Sequence, residues 1–291
     1  MDSTINGALQ QAAAQLLTEG KVGLVIGYGR ANGGPSAAPA FVRRAEDAER
    51  LLFDATCFAN LAVYLAKKDV RDLLRGAASQ AVGVVVKGCD LRAVNVLLRE
   101  HVVERSGVVL IGVRCPGVGE PLLSKCTACD VHEPQGCDVV VGEAVPQAQA
   151  EKADRYPLVA PIEEMPLDKR WAYWEEQLGS CIRCYACRQA CPLCYCRRCI
   201  VEKSSPQWVE TSAHLRGNLA WNAARALHLT GRCVGCGECE RVCPMHLPLS
   251  ALNQKMAKLV EERYGFRSGL SAEETAPFSA FAAEDTEEGI L

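Results

Sequence analysis

Two runs of cysteine limit what this chain can become more than anything else in it: Cys181-x2-Cys184-x2-Cys187-x3-Cys191-Pro192 and Cys233-x2-Cys236-x2-Cys239-x3-Cys243-Pro244. Three thiolates two residues apart on a tight turn meet three irons of one cubane, and the fourth, leaving on a helix after proline, reaches the other cluster. That logic assigns Cys181, Cys184, Cys187 and Cys243 to one 4Fe–4S cluster, and Cys233, Cys236, Cys239 and Cys191 to a second. The chain holds 17 cysteines, an odd number that complete pairing cannot satisfy. Cys181, Cys184, Cys187, Cys191, Cys194, Cys196 and Cys199 crowd into nineteen residues, where a disulfide would close little loop entropy. Zinc also uses C-x2-C pairs, but it needs only four ligands, and two proline-terminated runs supply eight.

Composition narrows the setting. At 291 residues, with 49% apolar and 23% charged side chains, the chain suits two modest soluble domains. A net charge of −3 with no basic stripe gives no reason to expect nucleic acid. No stretch approaches the roughly 18 apolar residues of a membrane helix. The N-terminus lacks a basic signal-peptide region, and Arg43-Arg44 has no apolar run behind it. The expected compartment is the cytoplasm, where thiols stay reduced.

The first half reads as α/β. Residues 8–18 have helical spacing, with Asp2 or Ser3 as cap. Val22 to Ile26, Ala81 to Val86 and Val108 to Val113 are short β-branched runs that suit buried strands. Between the last two, Asp90 precedes a helical pattern at Leu91, Val94, Leu97, Leu98 and Val102, giving a parallel crossover unit. Residues 114–165 look like loops and a linker. Later helices are marked by Leu167, Trp171, Trp174 and Leu178, by Leu215, Leu219, Ala223 and Leu227 ending near Gly231, and by Leu249, Leu252, Met256, Leu259 and Val260. Pro206 suits a first helical residue. The expected organisation is an α/β N-terminal domain with a short parallel sheet at 1–145 and a linker at 146–165. An α-helical dicluster ferredoxin domain at 166–265 and an acidic tail at 266–291 follow.

Other cysteines leave alternatives open. Cys194-x-Cys196-x2-Cys199 suits a further 4Fe–4S cluster completed by a distant cysteine, a zinc site, or unliganded packing. Cys89, Cys115, Cys126 and Cys129 fall at two strand ends and a following loop, where open α/β sheets place ligands, and suit a cluster there. A helix N-terminus at Cys89 would lower its thiol pKa. A zinc ribbon of Cys126, Cys129 and Cys137 is the rival, and Cys57 reads as a buried structural thiol. The segment Gly27-Tyr28-Gly29 to Asn32-Gly33-Gly34-Pro35 follows a strand, but Pro35 and Pro39 prevent an immediate helix. It reads as a plain turn, a flavin contact, or, least well, a nicotinamide site.

Lys87-Gly88-Cys89-Asp90, Gly112-Val113-Arg114-Cys115 and Cys126-x2-Cys129-Asp130 together resemble the beta-subunit family of deazaflavin-dependent hydrogenases and formate dehydrogenases. The stretch from Cys181 to Cys196 resembles the ferredoxin part of formate dehydrogenase beta chains. The helical segment between Cys191 and Cys233 is similar to the dicluster domains of heterodisulfide reductase and succinate dehydrogenase. The resemblance implies one or two clusters beyond the first two, and a flavin held near Asn32, Gly33, Gly34 and Lys87. The family's Ser-Gly-Gly flavin loop is missing, and Cys137 has no counterpart. The implied role is an electron-transfer subunit working with other redox subunits of an oxidoreductase complex. The alternative is a flavin enzyme exchanging hydride with a soluble carrier. No catalytic proton-transfer set stands out, and a radical enzyme with a three-cysteine cluster fits less well.

Overall fold

The protein is described here from a computed structural model that covers residues 3–67, 81–145 and 154–278. Asp2, residues 146–153 of the expected linker and residues 279–291 of the acidic tail lie outside the described residues. The chain opens with helix α1 (Ser3–Thr18), strand β1 (Val22–Arg30) and strand β2 (Ala37–Val42). A short helix α2 (Ala62–Ala66) precedes β3 (Ala81–Val86), helix α3 (Gly88–Arg99) and β4 (Val108–Val113). A one-turn helix α4 (Ser124–Thr127) leads to β5 (Val139–Val141).

Among the described residues five strands form one sheet in the order β2-β1-β3-β4-β5. β1 runs parallel to β3, β3 to β4 and β4 to β5, whereas β2 is antiparallel to β1. The expected parallel core is present, extended by one strand on each side. β3 and β4 read as continuous apolar runs because both are almost wholly buried. β2 carries Pro39 at the sheet edge, where a missing N–H is tolerated. The glycine-rich segment is the loop of the β1–β2 hairpin, with Arg30 paired to Ala37, and no helix follows it.

The second half is helical: α5 (Ala160–Glu163), α6 (Leu167–Gly179), α7 (Ala186–Ala190), α8 (Leu215–His228), α9 (Glu238–Arg241) and α10 (Leu249–Tyr264). Three expectations need correcting. Pro206 starts no helix; residues 203–214 are turns and bends. The expected apolar stripe of α8 faces outward: Leu215, Ala223 and Leu227 are exposed, and the buried face is Gly217, Asn218, Trp221, Asn222, Arg225 and Ala226. The third concerns residues 266–278, which form no free tail. Arg92 Nε and Nη2 donate to Ser268 O at 3.1 and 2.8 Å, and Asn95 Nδ2 donates to Gly269 O at 3.0 Å. A Cβ on Gly269 would lie 2.2 Å from Arg92 O, so only glycine lets this strap close on α3.

The two halves share one apolar core. Cys191, Leu193, Leu229, Val234 and Cys236 are buried in the same cluster as the residues of β1, β3 and β4. Polar contacts tie the junction: Arg232 donates to both Glu100 oxygens at 2.8 and 2.7 Å, and Tyr195 OH bonds the same carboxylate. Lys125 Nζ donates to Phe58 O at 2.9 Å and to Cys236 O at 3.0 Å. No helix among the described residues is long and apolar enough to cross a membrane.

Candidate metal centres

The two cysteine runs fold alike. In the first, Arg183 and Tyr185 take left-handed φ values of 58° and 60°. In the second, Gly235 and Gly237 take 69° and 70° at the matching positions. Left-handed residues between the thiols keep each run curled into a tight turn, so its side chains turn toward one side. Helices α7 and α9 then carry Cys187 and Cys239, and each is followed by the last cysteine of its run, Cys191 or Cys243.

The fourth thiols cross over as the spacing suggests. Cys181, Cys184, Cys187 and Cys243 surround one small gap of about 20 Å³ beside Tyr185 and Trp221. Cys191, Cys233, Cys236 and Cys239 line a different and larger cavity of about 340 Å³. The first set reaches the surface through Cys184, which is exposed; Cys236 and Cys239 are buried.

That larger cavity also holds the N-terminal thiols Cys89, Cys115, Cys126 and Cys129. Cys89 is the second residue of α3, and Cys115 follows β4. Cys126 lies on α4, its Sγ accepting the Val118 N–H at 3.4 Å, and Cys129 follows one turn later. Gly88 makes this convergence possible: a Cβ there would sit 1.9 Å from Val131 O, so the start of α3 touches the Cys129 loop backbone. Eight thiols thus share one cavity at the junction of the two halves.

Burial raises several of these thiols. It pushes Cys89 up to about 12, with the Asp90 carboxylate adding to the effect. Burial thus opposes the thiolate that the α3 N-terminus was expected to favour. Burial likewise raises Cys115 and Cys187 to about 11 and Cys233 to about 12. Cys191 is lowered to about 6, because Cys194 hydrogen-bonds its sulfur. The raised thiols, Cys89, Cys115, Cys187 and Cys233, ionise only against a compensating positive charge such as iron.

Among the described residues no three His, Cys, Asp or Glu side chains converge on a point that would hold a single metal ion. The thiols instead surround volumes. A cubane places each thiolate on a different iron, so a ring of four thiols around a space fits it better than it fits zinc.

The remaining candidate residues sit differently. Cys196 is exposed, Cys194 packs on the first core beside Cys191, and Cys199 packs on the second. Cys137 packs against Gly112, where a Cβ would meet its Sγ at 2.9 Å, and it lines neither cavity. Cys57 is buried, as a structural thiol should be.

The residues expected to contact a flavin lie in two places. Gly33 and Gly34 line neither cavity, and nothing lies within 4 Å of a Cβ built on Gly33. Lys87 borders the larger cavity, but its three ammonium protons are taken by Asp90 Oδ2 at 2.8 Å, Ala59 O at 3.0 Å and Tyr28 OH. Burial opposes its charge, and Asp90, Tyr28 and Cys89 together outweigh that, so the ammonium persists. Asp90 also accepts the Lys87 and Leu61 N–H groups at 2.9 Å each, which makes Lys87 part of the α3 cap.

The sequence reading placed α8 but missed its buried polar face. Its buried polar face points at the cysteines: Asn218 Nδ2 donates to Cys181 O at 2.8 Å, and Arg225 Nη2 donates to Cys187 O at 3.3 Å. The signal was present as Asn218, Asn222 and Arg225 at helical spacing, but polar residues at that spacing ordinarily mark a solvated face.

Residues 180–248 match the family described as 4Fe-4S dicluster domain. The chain is 30% identical over 142 residues to the F420-dependent formate dehydrogenase subunit beta of Methanocaldococcus jannaschii, covering 48% of this chain and 36% of that one. It is 25% identical over 100 residues to the F420-dependent formate dehydrogenase 1 subunit beta of Methanococcus maripaludis, covering 34% of this chain and 25% of that one. The chain therefore spans about a third or less of the length of these relatives. Over up to half of its own length it is similar to formate dehydrogenase beta subunits, and it carries a 4Fe–4S dicluster domain at residues 180–248.

Proposed function

We propose that this chain is an iron–sulfur subunit of a multi-subunit cytoplasmic oxidoreductase of the formate dehydrogenase, hydrogenase or heterodisulfide reductase type. It carries single electrons between redox partners through three 4Fe–4S clusters. Cys181, Cys184, Cys187 and Cys243 hold the outer one; Cys191, Cys233, Cys236 and Cys239 hold the middle one; Cys89, Cys115, Cys126 and Cys129 hold the inner one. The observation that carries this reading is the shared cavity, in which the middle and inner thiol sets face each other across the domain junction. Electron transfer needs such closeness and no substrate pocket beside it.

The outer end supports a docking role. Cys184 and its neighbours Ile182 and Met245 are exposed, an apolar surround for a thiolate at the surface. Leu167, at 78% exposure, and Trp171 on α6 add further uncovered apolar surface of the kind found at subunit contacts. A partner subunit lying there would bring its own redox centre near the outer cluster.

The test is Cys89→Ala in the full chain, prepared anaerobically. Iron should fall by about a third, with the paramagnetic signals of the dicluster domain retained. Full iron retention would contradict the inner cluster. Loss of all iron would show that Cys89 acts through folding, and Cys129→Ala would then decide.

A further inference from the structure

Arg225 projects from α8 into the space between the outer and middle thiol sets, and only 5% of it is exposed. Its Nη2 donates to Cys187 O at 3.3 Å, and the Cys239 thiol lies within its electrostatic reach. Its Nε is buried without a partner. Among the described residues it makes no ion pair with a carboxylate; the groups that favour its charge are Cys239, Cys191, Cys194 and Cys187. A buried guanidinium without a counter-anion is costly. The arrangement makes sense when the thiols are thiolates.

Arg92 stands in a similar place one step further in. It lines the larger cavity; burial and Arg267 oppose its charge, while Asp130, Cys129 of the inner set and Cys233 of the middle set favour it. Its side chain is anchored by the Ser268 carbonyl of the C-terminal strap. Both arginines line the larger cavity, each with members of two neighbouring sets in electrostatic reach.

We infer that Arg225 and Arg92 are potential-setting charges, Arg225 the stronger. Each offsets the negative charge of the two clusters it separates and makes the added electron easier to accept. A 4Fe–4S core with four thiolates is anionic and gains one more negative charge on one-electron reduction, so a fixed neighbouring cation favours the reduced form. Arg225 has the greater effect because it is the more deeply buried and its guanidinium is held on the Cys187 backbone between the two thiol sets.

This rests on the three-cluster reading above, and the experiment separates the two. Iron and acid-labile sulfide in the unaltered full chain test the clusters; redox titration followed by paramagnetic resonance tests the arginines. In Arg225→Gln, iron content should be unchanged. At the midpoint potential of the unaltered middle cluster, its ratio of reduced to oxidised form should fall about tenfold, equal to about 59 mV for one electron. Arg225→Lys should recover most of that shift, and Arg92→Gln should give a smaller shift confined to the middle and inner clusters. Unchanged potentials in Arg225→Gln with full iron would overturn the inference, as would a lysine variant that behaves like glutamine. If Arg225→Gln loses iron, retention of iron and potential in Arg225→Lys supports the charge role. Loss in both reduces Arg225 to a packing residue and overturns it.

Discussion

The two cysteine runs take one backbone path with two kinds of residue. The second run places glycine at both left-handed positions, Gly235 and Gly237, where glycine adopts positive φ without strain. The first run places Arg183 and Tyr185 there, at a cost of about 1–2 kcal/mol each. Neighbours hold these residues in place. Arg183 Nη1 donates to Gly217 O at 2.6 Å and Nη2 to Tyr185 OH at 3.2 Å, and Tyr185 stacks edge-on against Trp221 with ring centroids 5.0 Å apart. The difference follows exposure: the middle site closes inside the domain junction, whereas the outer site has Cys184 at the surface and substitutes side-chain packing for enclosure. A duplicated motif keeps its backbone while its two copies are stabilised by different means.

The comparison breaks most visibly at the crossing cysteines. Cys191→Ala should abolish the middle cluster and leave the outer one, and Cys243→Ala should do the reverse. Paramagnetic resonance reads both; loss of the cluster belonging to the mutated run itself would mean that the fourth ligands do not cross.

The glycines come next. Gly237→Ala should destabilise the loaded protein by more than the ~1–2 kcal/mol of left-handed strain, because the new Cβ lies 3.2 Å from the Lys125 side chain that anchors the junction. Gly235→Ala meets nothing within 4 Å and should cost only the strain. Denaturant midpoints under anaerobic conditions would rank them, and an equal loss for both would remove Lys125 from the account.

Arg183→Gly sharpens the contrast from the other side. It relieves about 1–2 kcal/mol of strain and gives up hydrogen bonds worth roughly 1 kcal/mol each, so its net stability change should be small. A large destabilisation would mean that Arg183 supports the outer cluster itself.

The smallest effect concerns thiols outside the three sets. Burial raises Cys57 to about 12, so at pH 8–9, well below that value, it remains a protonated, shielded thiol. Alkylation of the native loaded protein at pH 8 should label exposed Cys196 and spare Cys57 and Cys137, as peptide mass mapping would show. Labelling of Cys57 before unfolding would place it outside the core.

Much of this was legible where local chemistry is strong. β3 and β4 follow the boundaries of their β-branched runs, and the run spacing predicts both sets of four thiols. Strand ends at Cys89 and Cys115 bring those thiols to the cavity through parallel pairing, which the strand–helix–strand pattern anticipates. What stayed hidden depends on long-range contacts. β5 is three residues long and acquires strand structure only by pairing with β4. The strap at 266–278 is polar in sequence, yet its backbone carbonyls are held by Arg92 and Asn95 across the junction. Helix α8 inverts the ordinary rule: its polar residues face inward because the thiol-lined interior needs donors and positive charge, while Leu215 and Leu227 remain outside.

The central claim is three cubanes in one chain, and iron with acid-labile sulfide in the anaerobically prepared full-length protein tests it most directly, supported by Mössbauer spectra. The account predicts about twelve iron and about twelve sulfide per chain, all in 4Fe–4S form. About eight of each would leave the dicluster domain alone and contradict the inner site; zinc without sulfide would contradict the account entirely.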